Sequence, residues 1–309
     1  MSNQIDPQYK SQVLRYYGGK GSKLGKFIIS HMPTHEAYIE PFFGGGSVFF
    51  MKTLADVSVL NDLNSEVINF FRVMRTSPDE LARQLELTCW SRDEHELAWA
   101  DDDPDYVERA RRLAVKAWQG FGHKVARNSG WGKAFNGKRG GVGAHSVGWQ
   151  NLPQAILDNA LKLRTANIEN LDALEIFERY STPLQRELFT RLFYLDPPYA
   201  HDTLLSWHRY GKHDVDHEAL LTKVHDIPYY VMISGYQNDM YMDMLSDWHM
   251  VTIDKVDHGL NKAKECLWLN PLCYEAWRKE RGQGSQLTLF DFGAHDSDSA
   301  MQDASMQSE

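Results

Sequence analysis

Asp196-Pro197-Pro198-Tyr199 follows directly on the apolar run Leu192-Phe193-Tyr194-Leu195, which reads as a buried strand ending at a pocket. A carboxylate, two prolines and an aromatic ring in consecutive positions suit chemistry on the amino group of a nucleobase. The lone pair of an exocyclic aromatic amine is delocalised into its ring and attacks poorly. If the Asp196 carboxylate and the Pro197 carbonyl each accept one amino N–H, the nitrogen pyramidalises and its lone pair is aimed at a methyl donor. No general base is then required beforehand. The prolines stiffen the turn and remove two donors, and Tyr199 offers a face on which an extruded base stacks. The same residues also describe a plain strand stop, in which Asp caps, Pro-Pro ends the strand and Tyr packs. Both readings stand at this point.

The elements that would position such a turn begin near the amino end. Ala37 to Phe42 reads as a strand, Gly44-Gly45-Gly46-Ser47 as a turn, and Val48-Phe49-Phe50-Met51 as the start of a helix. A second strand, Val57 to Leu60, ends at Asn61-Asp62, and Val67, Ile68, Phe70, Phe71 and Met74 recur at helical spacing. Strand, glycine turn, helix, strand and acid is the layout of a cofactor-binding α/β half. From about residue 77 to 165 the texture changes. Helical candidates, Asp105 to Gln119 and Pro153 to Leu163, flank a Gly-rich, basic stretch from Gly120 to Trp149 that reads as loops or a β-ribbon. Strands then resume at Leu192–Leu195, Tyr229–Ser234, His249–Ile253 and Glu265–Leu269, with a helix from Asp216 to His225. The last two strands, joined through Gly259-Leu260-Asn261, predict an antiparallel hairpin closing the sheet edge.

The chain has 309 residues, of which 42% are hydrophobic and 24% charged, an ordinary soluble composition. Cys89, Cys266 and Cys273 show neither metal-type spacing nor a disulfide framework. No apolar run approaches the ~20 residues of a membrane span, so a cytoplasmic setting is expected. The net charge of −9 is unevenly spread. Asp291, Asp296, Asp298, Asp303 and Glu309 lie beyond Arg281, where no Lys or Arg follows. Between Glu108 and Asp158 there is no acid, while Arg109, Arg111, Arg112, Lys116, Lys124, Arg127, Lys133, Lys138 and Arg139 fall there. Such an interval is a credible phosphate-binding surface, or a solvated basic face.

Glycine turns also serve phosphates, but neither phosphate pattern is met. From Gly44 the sequence reads G-x-G-x-x-F, with Phe49 where a dinucleotide site has its third glycine, and no G-x-x-x-x-G-K-[ST] occurs around Gly18 to Lys23. A site for S-adenosylmethionine needs close backbone approach after a strand, no pyrophosphate cradle, and an acid after the second strand for the ribose hydroxyls. Asp62 is placed for that role, and equally for capping the next helix. Lys20 draws attention through its Gly18-Gly19 context; a solvated lysine is the plainer account.

Together these segments resemble the D12 class of adenine-specific DNA methyltransferases, the family that includes the Dam enzymes. Tyr16-Tyr17-Gly18-Gly19-Lys20 is similar to its amino-terminal cofactor motif, Glu40-Pro41-Phe42-Phe43-Gly44-Gly45-Gly46-Ser47 to its glycine-rich motif, and Asn61-Asp62-Leu63-Asn64 to its acidic second motif. Asn170-Leu171-Asp172-Ala173-Leu174 resembles the acidic loop before the catalytic turn, Asp196 to Tyr199 the turn itself, and Glu265 to Asn270 the closing strand. The resemblance spans roughly residues 14–277 in one motif order. It implies an α/β fold: a Rossmann-like S-adenosylmethionine-dependent methyltransferase sheet (1–76 and 166–281) with an inserted, mainly helical target-recognition domain (77–165). It further implies cofactor contacts from Tyr16, Lys20, Pro41, Phe42, Gly44, Gly46, Ser47, Asp62, Asp172 and Asp196. Asp196, Pro197, Pro198 and Tyr199 would receive a flipped adenine for N6 methylation in double-stranded DNA.

Lys124, Arg127, Lys133, Asn136, Lys138 and Arg139 are the expected DNA contacts. Phe135-Asn136-Gly137-Lys138-Arg139 is only loosely like the Dam recognition segment, and the Gly-rich insert is closer in character to phage-borne or mobile-element members, so no target sequence carries over. Residues 282–309 read as a flexible acidic tail. Within it Gln286-Leu287-Thr288-Leu289-Phe290 resembles the peptide by which bacterial proteins dock on the replication sliding clamp, with Gln286, Leu287, Leu289 and Phe290 as the contacts. A monomer or weak dimer on DNA, without membrane or metal, is expected. The rival readings are N4-cytosine methylation, an RNA substrate, and a catalytically silent DNA-binding protein that retains the fold.

Overall fold

The computed structural model describes residues 5–6, 12–16, 20–100, 102, 104–121, 125, 128, 130–132, 144–182, 190–198, 215–256 and 262–282. Its centre is a seven-stranded sheet. In chain order the strands are β1 (Ala37–Glu40), β2 (Val57–Asn61), β3 (Ala166–Glu169), β4 (Arg191–Leu195), β5 (Tyr230–Gly235), β6 (His249–Val256) and β7 (Lys262–Leu269). Across the sheet they run β3-β2-β1-β4-β5-β7-β6. The first five are parallel, and β7 is antiparallel to both its neighbours. This is the Rossmann-like sheet expected of a methyltransferase, with the predicted hairpin at its edge. The turn Gly259-Leu260-Asn261 lies outside the described residues.

The order explains where a site can form. From β1 the chain steps outward through β2 to β3, then returns to β4 on the other side of β1. The carboxyl ends of β1 and β4 therefore flank a topological switch point, where a crevice opens in a doubly wound sheet. Glu40-Pro41 leaves one of those ends and Asp196-Pro197 the other. β1 stops at Glu40, two residues short of the expected Phe42, because Pro41 brings no N–H to the ladder.

Side chains alternate between the two faces of the strands. Tyr38, Leu192, Tyr194, Met232, Leu267 and Leu269 enter one apolar core, and Ala37, Ile39, Phe193, Leu195, Val231, Ile233 and Trp268 the other. By the same parity Glu40, Ser234 and Glu265 fall on the first face, among the polar residues the sheet buries. That face is covered by α1 (Ser22–Ser30), α2 (Ser47–Met51) and α3 (Ser65–Thr76); the other by α8 (Ala173–Tyr180), α9 (His217–Val224) and α10 (Asp239–Met244). Asp216 caps α9 by accepting from the Ala219 N–H at 2.9 Å, so that helix begins one residue later than expected. A last helix, α11 (Pro271–Arg281), follows β7.

Among the described residues between α3 and β3 lie the helices α4 (Pro78–Leu87), α5 (Arg92–Leu97), α6 (Tyr106–Gln119) and α7 (Ala144–Ala160). The apolar faces of α4, α6 and α7 join the core that α3 shares with the sheet, through Leu81, Leu85, Leu113, Trp118, Leu152 and Ile156. The loops or ribbon expected from Gly120 to Trp149 divide in two. A short antiparallel ribbon exists, with Phe121 N–H donating to Gly130 O at 2.9 Å and Gly132 N–H to Gln119 O at 2.7 Å. The end of the stretch is helical instead: α7 begins at Ala144 and carries Pro153 in its interior. Gly148 shows why this segment is poor in periodicity, since a Cβ there would lie 2.4 Å from the Trp118 ring. A short 3-10 turn, Leu161–Thr165, replaces the expected end of that helix at Leu163 and leads into β3, which the apolar pattern does not predict.

Candidate active site

The glycine turn after β1 is built by steric necessity. Gly44 (φ +49°) and Gly46 (φ +66°) occupy left-handed backbone, where a side chain is strained. A Cβ on Gly45 would lie 2.6 Å from Leu14 O, and one on Gly46 2.6 Å from the Phe43 ring. The Gly44 N–H, which a phosphate cradle would offer to its ligand, instead donates to Asp62 Oδ2 at 2.7 Å. The turn is therefore committed to a carboxylate, in keeping with the missing phosphate motifs.

Asp62 does not cap the next helix. Asn64 caps α3, accepting from the Glu66 N–H at 3.0 Å, while the second Asp62 oxygen accepts from the Asn64 N–H at 2.8 Å. Both oxygens are thereby fixed at the carboxyl end of β2. Asn61 ties three loops together: its amide nitrogen donates to Pro41 O (2.9 Å) and Leu171 O (3.0 Å), and its oxygen accepts from the Leu171 N–H (2.9 Å). Asp172 caps α8 through the Leu174 N–H at 2.8 Å. The Tyr16 hydroxyl is held above its ordinary pKa by burial and then by Asp62.

Lys20 is not a solvated lysine. It is 3% exposed, and its Nζ lies 2.7 Å from both Asp196 Oδ1 and Glu265 Oε1. Burial opposes its charge, but Asp196, Tyr194 and Glu265 outweigh that and raise its pKa. Burial likewise lifts the Asp196 carboxyl above the usual range, with Lys20 and Ser234 working against the rise. The two shifts pull the shared proton in opposite directions. An ammonium between two carboxylates is strongly held, so we take Lys20 as charged and paired with an ionised Asp196. The Ser234 hydroxyl donates to Asp196 Oδ1 at 2.8 Å, and Tyr194 Oη lies 3.0 Å from Ser234 Oγ. Glu40, also buried, accepts from the Tyr38 hydroxyl at 2.9 Å, and burial raises its pKa well above the ordinary value.

Lys20, Glu40, Asn61, Asp62, Asp172 and Asp196 meet around a cavity of about 280 Å³. Tyr16, Lys20, Pro41, Phe42, Gly44, Gly46, Ser47, Asp62, Asp172 and Asp196 all line it, as do Pro197 and Pro198. Residues far apart in sequence are thus brought together as the motif order anticipates. Tyr199, Tyr17, Gly18 and Gly19 lie outside the described residues, as do Lys124, Arg127, Lys133, Asn136, Lys138, Arg139 and the tail residues Gln286, Leu287, Leu289 and Phe290. Glu40, Asn61, Asp216, Ser234 and Glu265 were not singled out as site residues. For Glu40, Asn61, Ser234 and Glu265 the signal is burial of a polar side chain on a strand, readable only once the sheet order is known; Asp216 is an exposed helix cap that the fold brings to the cavity.

The basic interval needs a correction. Arg109 pairs with Glu66, and Arg112 with Asp102 and Glu108. Arg111 reaches Glu94 and Glu108, each at 2.6 Å, and Lys116 Nζ lies 4.6 Å from the centre of the Trp99 ring. The counter-charges that the interval lacks come from α3, α5, the loop before α6 and the first turn of α6. At least these three arginines hold the insert together and are not free for phosphates.

The parallel sheet, the switch-point cavity and the acid after β2 are those of a Rossmann-like, cofactor-binding α/β fold. Residues 16–120 match the family described as D12 class N6 adenine-specific DNA methyltransferase, as the motifs imply. The chain is also 37% identical over 70 residues to a DNA adenine methylase of Serratia marcescens, covering 23% of this chain and 25% of that protein. It is 35% identical over 71 residues to the Type II methyltransferase M1.LlaDCHI of Lactococcus lactis subsp. cremoris, covering 23% and 25% respectively. A DNA N-6-adenine-methyltransferase of Escherichia phage P1 is 31% identical over 74 residues, covering 24% of this chain and 10% of that protein. The similarity thus spans at most about a quarter of these relatives' length.

Proposed function

We propose that this protein transfers a methyl group from S-adenosylmethionine to N6 of an adenine flipped out of duplex DNA. The observation that carries the reading is the composition of the cavity. Glu40, Asp62, Asp172, Asp196 and Asp216 line it against the single cation Lys20 among the described residues. Such a wall repels phosphates and suits a ligand with hydroxyls, an amine and a positive sulfonium. The glycine cradle, in which a Cβ on Gly45 or Gly46 would collide, gives the close backbone approach that the ligand requires. When bound, S-adenosylmethionine supplies an electrophilic methyl group.

Asp62 and Asp172 would orient the nucleoside end, and the Gly44–Ser47 turn the remainder. Asp196 then acts on the other substrate. Its carboxylate and the Pro197 carbonyl each accept a hydrogen bond from one amino N–H of adenine, hold the nitrogen pyramidal and direct its lone pair inward; one of the two protons leaves the nitrogen only after the methyl group has arrived. Pro197 and Pro198, with Tyr199, would form the floor on which the flipped base rests. Residues 77–165 would form the target-recognition domain, gripping phosphates with Lys124, Arg127, Lys133, Lys138 and Arg139 and reading base edges with side chains such as Asn136. Residues 1–76 and 166–281 would be the catalytic domain in a cytoplasmic protein, with 282–309 as a separate acidic tail. A silent DNA-binding role leaves the buried Lys20–Asp196 pair without a purpose.

The test is modification-sensitive sequencing of host DNA with and without expression of the chain. Methylated adenine in one sequence context is the expected result; modified cytosine, or none, contradicts the reading.

The tail adds a proposal of its own: Gln286-Leu287-Thr288-Leu289-Phe290 would recruit the enzyme to newly replicated DNA through the bacterial sliding clamp. A peptide covering Ser285 to Phe292 should bind the clamp in a titration, and replacing Leu289 and Phe290 with alanine should abolish binding. A peptide that does not bind would remove the proposal.

A further inference from the structure

Asp196 has two oxygens, and the structure treats them differently. Oδ1 receives the Lys20 ammonium at 2.7 Å and the Ser234 hydroxyl at 2.8 Å. Ser234 sits on β5, the strand next to β4, and is wholly buried. Its hydroxyl has one hydrogen, and the charged Asp196 oxygen at 2.8 Å is the better acceptor than Leu195 O at 3.3 Å. Tyr194, also buried, lies 3.0 Å from Ser234 Oγ and must then be the donor to it. A directed chain results, from Tyr194 to Ser234 to Asp196 Oδ1.

We propose that Ser234 is a positioning residue: with Lys20 it occupies Asp196 Oδ1, fixes the rotation of the carboxylate, and so leaves Oδ2 as the acceptor for the substrate amino group. The inference rests on the methyl-transfer reading and deepens it. A carboxylate free to rotate would present either oxygen, and the aim of the amine lone pair would be lost over small angular errors. The Tyr194 hydroxyl sets which way the serine proton points. It has no contact with the substrate in this scheme and acts only through Ser234.

The groups facing Asp196 are Lys20 before α1, Tyr38 and Glu40 on β1, Tyr194 on β4, Tyr241 on α10 and Glu265 on β7. Of the neutral groups among them, Ser234 included, only Ser234 donates to the carboxylate itself. Its loss removes a hydrogen bond to the charged form, so the Asp196 pKa must rise further. Activity requires the carboxylate, which is lost as pH falls through that pKa. The acid limb of the rate profile therefore moves to higher pH in the variant.

The experiment compares the full-length wild type with Ser234→Ala and Tyr194→Phe. In S234A, kcat should fall roughly 10- to 100-fold, with KM for S-adenosylmethionine and for DNA within about twofold of wild type. In Y194F, which keeps the serine proton, the loss should be about two- to fivefold. Independently of turnover, a carbon-13 carboxyl titration with labelled aspartate, the Asp196 signal assigned by Asp196→Asn, should show the pKa raised in S234A. An unmoved Asp196 pKa overturns the proposal whatever the rate does, and so does an unchanged kcat. Wild-type protein that methylates nothing would instead overturn the functional reading, leaving the titration to judge Ser234 by itself.

Discussion

Replacing Asp196 with alanine is expected to slow methyl transfer at least ~1,000-fold, because it removes an anionic acceptor aimed at charge that develops only in the transition state. The protein should still fold. Lys20 keeps Glu265 at 2.7 Å, so the substitution leaves no buried ammonium without a partner. Duplex affinity should stay within about threefold, since the phosphate contacts proposed for the insert would dominate it. Asp196→Asn preserves shape and an acceptor oxygen while removing the charge, and should fall between the two, roughly 100-fold down. Single-turnover rates and fluorescence anisotropy on one duplex check both halves. Full activity in D196A would refute the assigned role, and lost DNA binding would relocate it.

The second large effect is on stability. Lys20→Met leaves Asp196 and Glu265 facing each other across the space vacated by the ammonium, and Glu265 is 1% exposed. Breaking a buried ion pair from one side costs about 3–5 kcal/mol, because the remaining charge is neither solvated nor compensated. Removing the second charge should reverse much of this: Lys20→Met with Glu265→Gln should regain at least ~2 kcal/mol of that loss. Activity should not return, because Asp196 Oδ1 still lacks its ammonium. Urea unfolding of the wild type, Lys20→Met, Glu265→Gln and the double variant measures the cycle. K20M as stable as wild type would show that this network is not closed in the folded protein.

How much of this was legible in the sequence depends on the range of each interaction. β1, β2, β4 and β5 are short apolar runs bounded by Gly, Pro or acid, and a parallel sheet buried on both faces produces such runs directly. The glycine turn was legible because its backbone demands glycine at Gly44 and Gly46. β3 was not, because of its four residues only Ala166 is buried and the pattern is too short to register. The start of α7 was hidden by Gly148 and by Pro153, residues that ordinarily argue against a helix. Arg109 and Arg111 looked uncompensated because their partners Glu66 and Glu94 lie 43 and 17 residues away. Lys20 and Glu265 are 245 residues apart. No local pattern links them, and only the placement of β7 beside β5 brings them together.

The pairing of this site with one reaction is tested most directly by following the methyl group. Purified protein, duplex DNA and S-adenosylmethionine carrying a labelled methyl are incubated, the DNA is digested to nucleosides, and the products are separated by mass. Label in N6-methyladenine, absent when D196A replaces the wild type, is the predicted result. Label in N4-methylcytosine, or in N6-methyladenine undiminished by D196A, would contradict it.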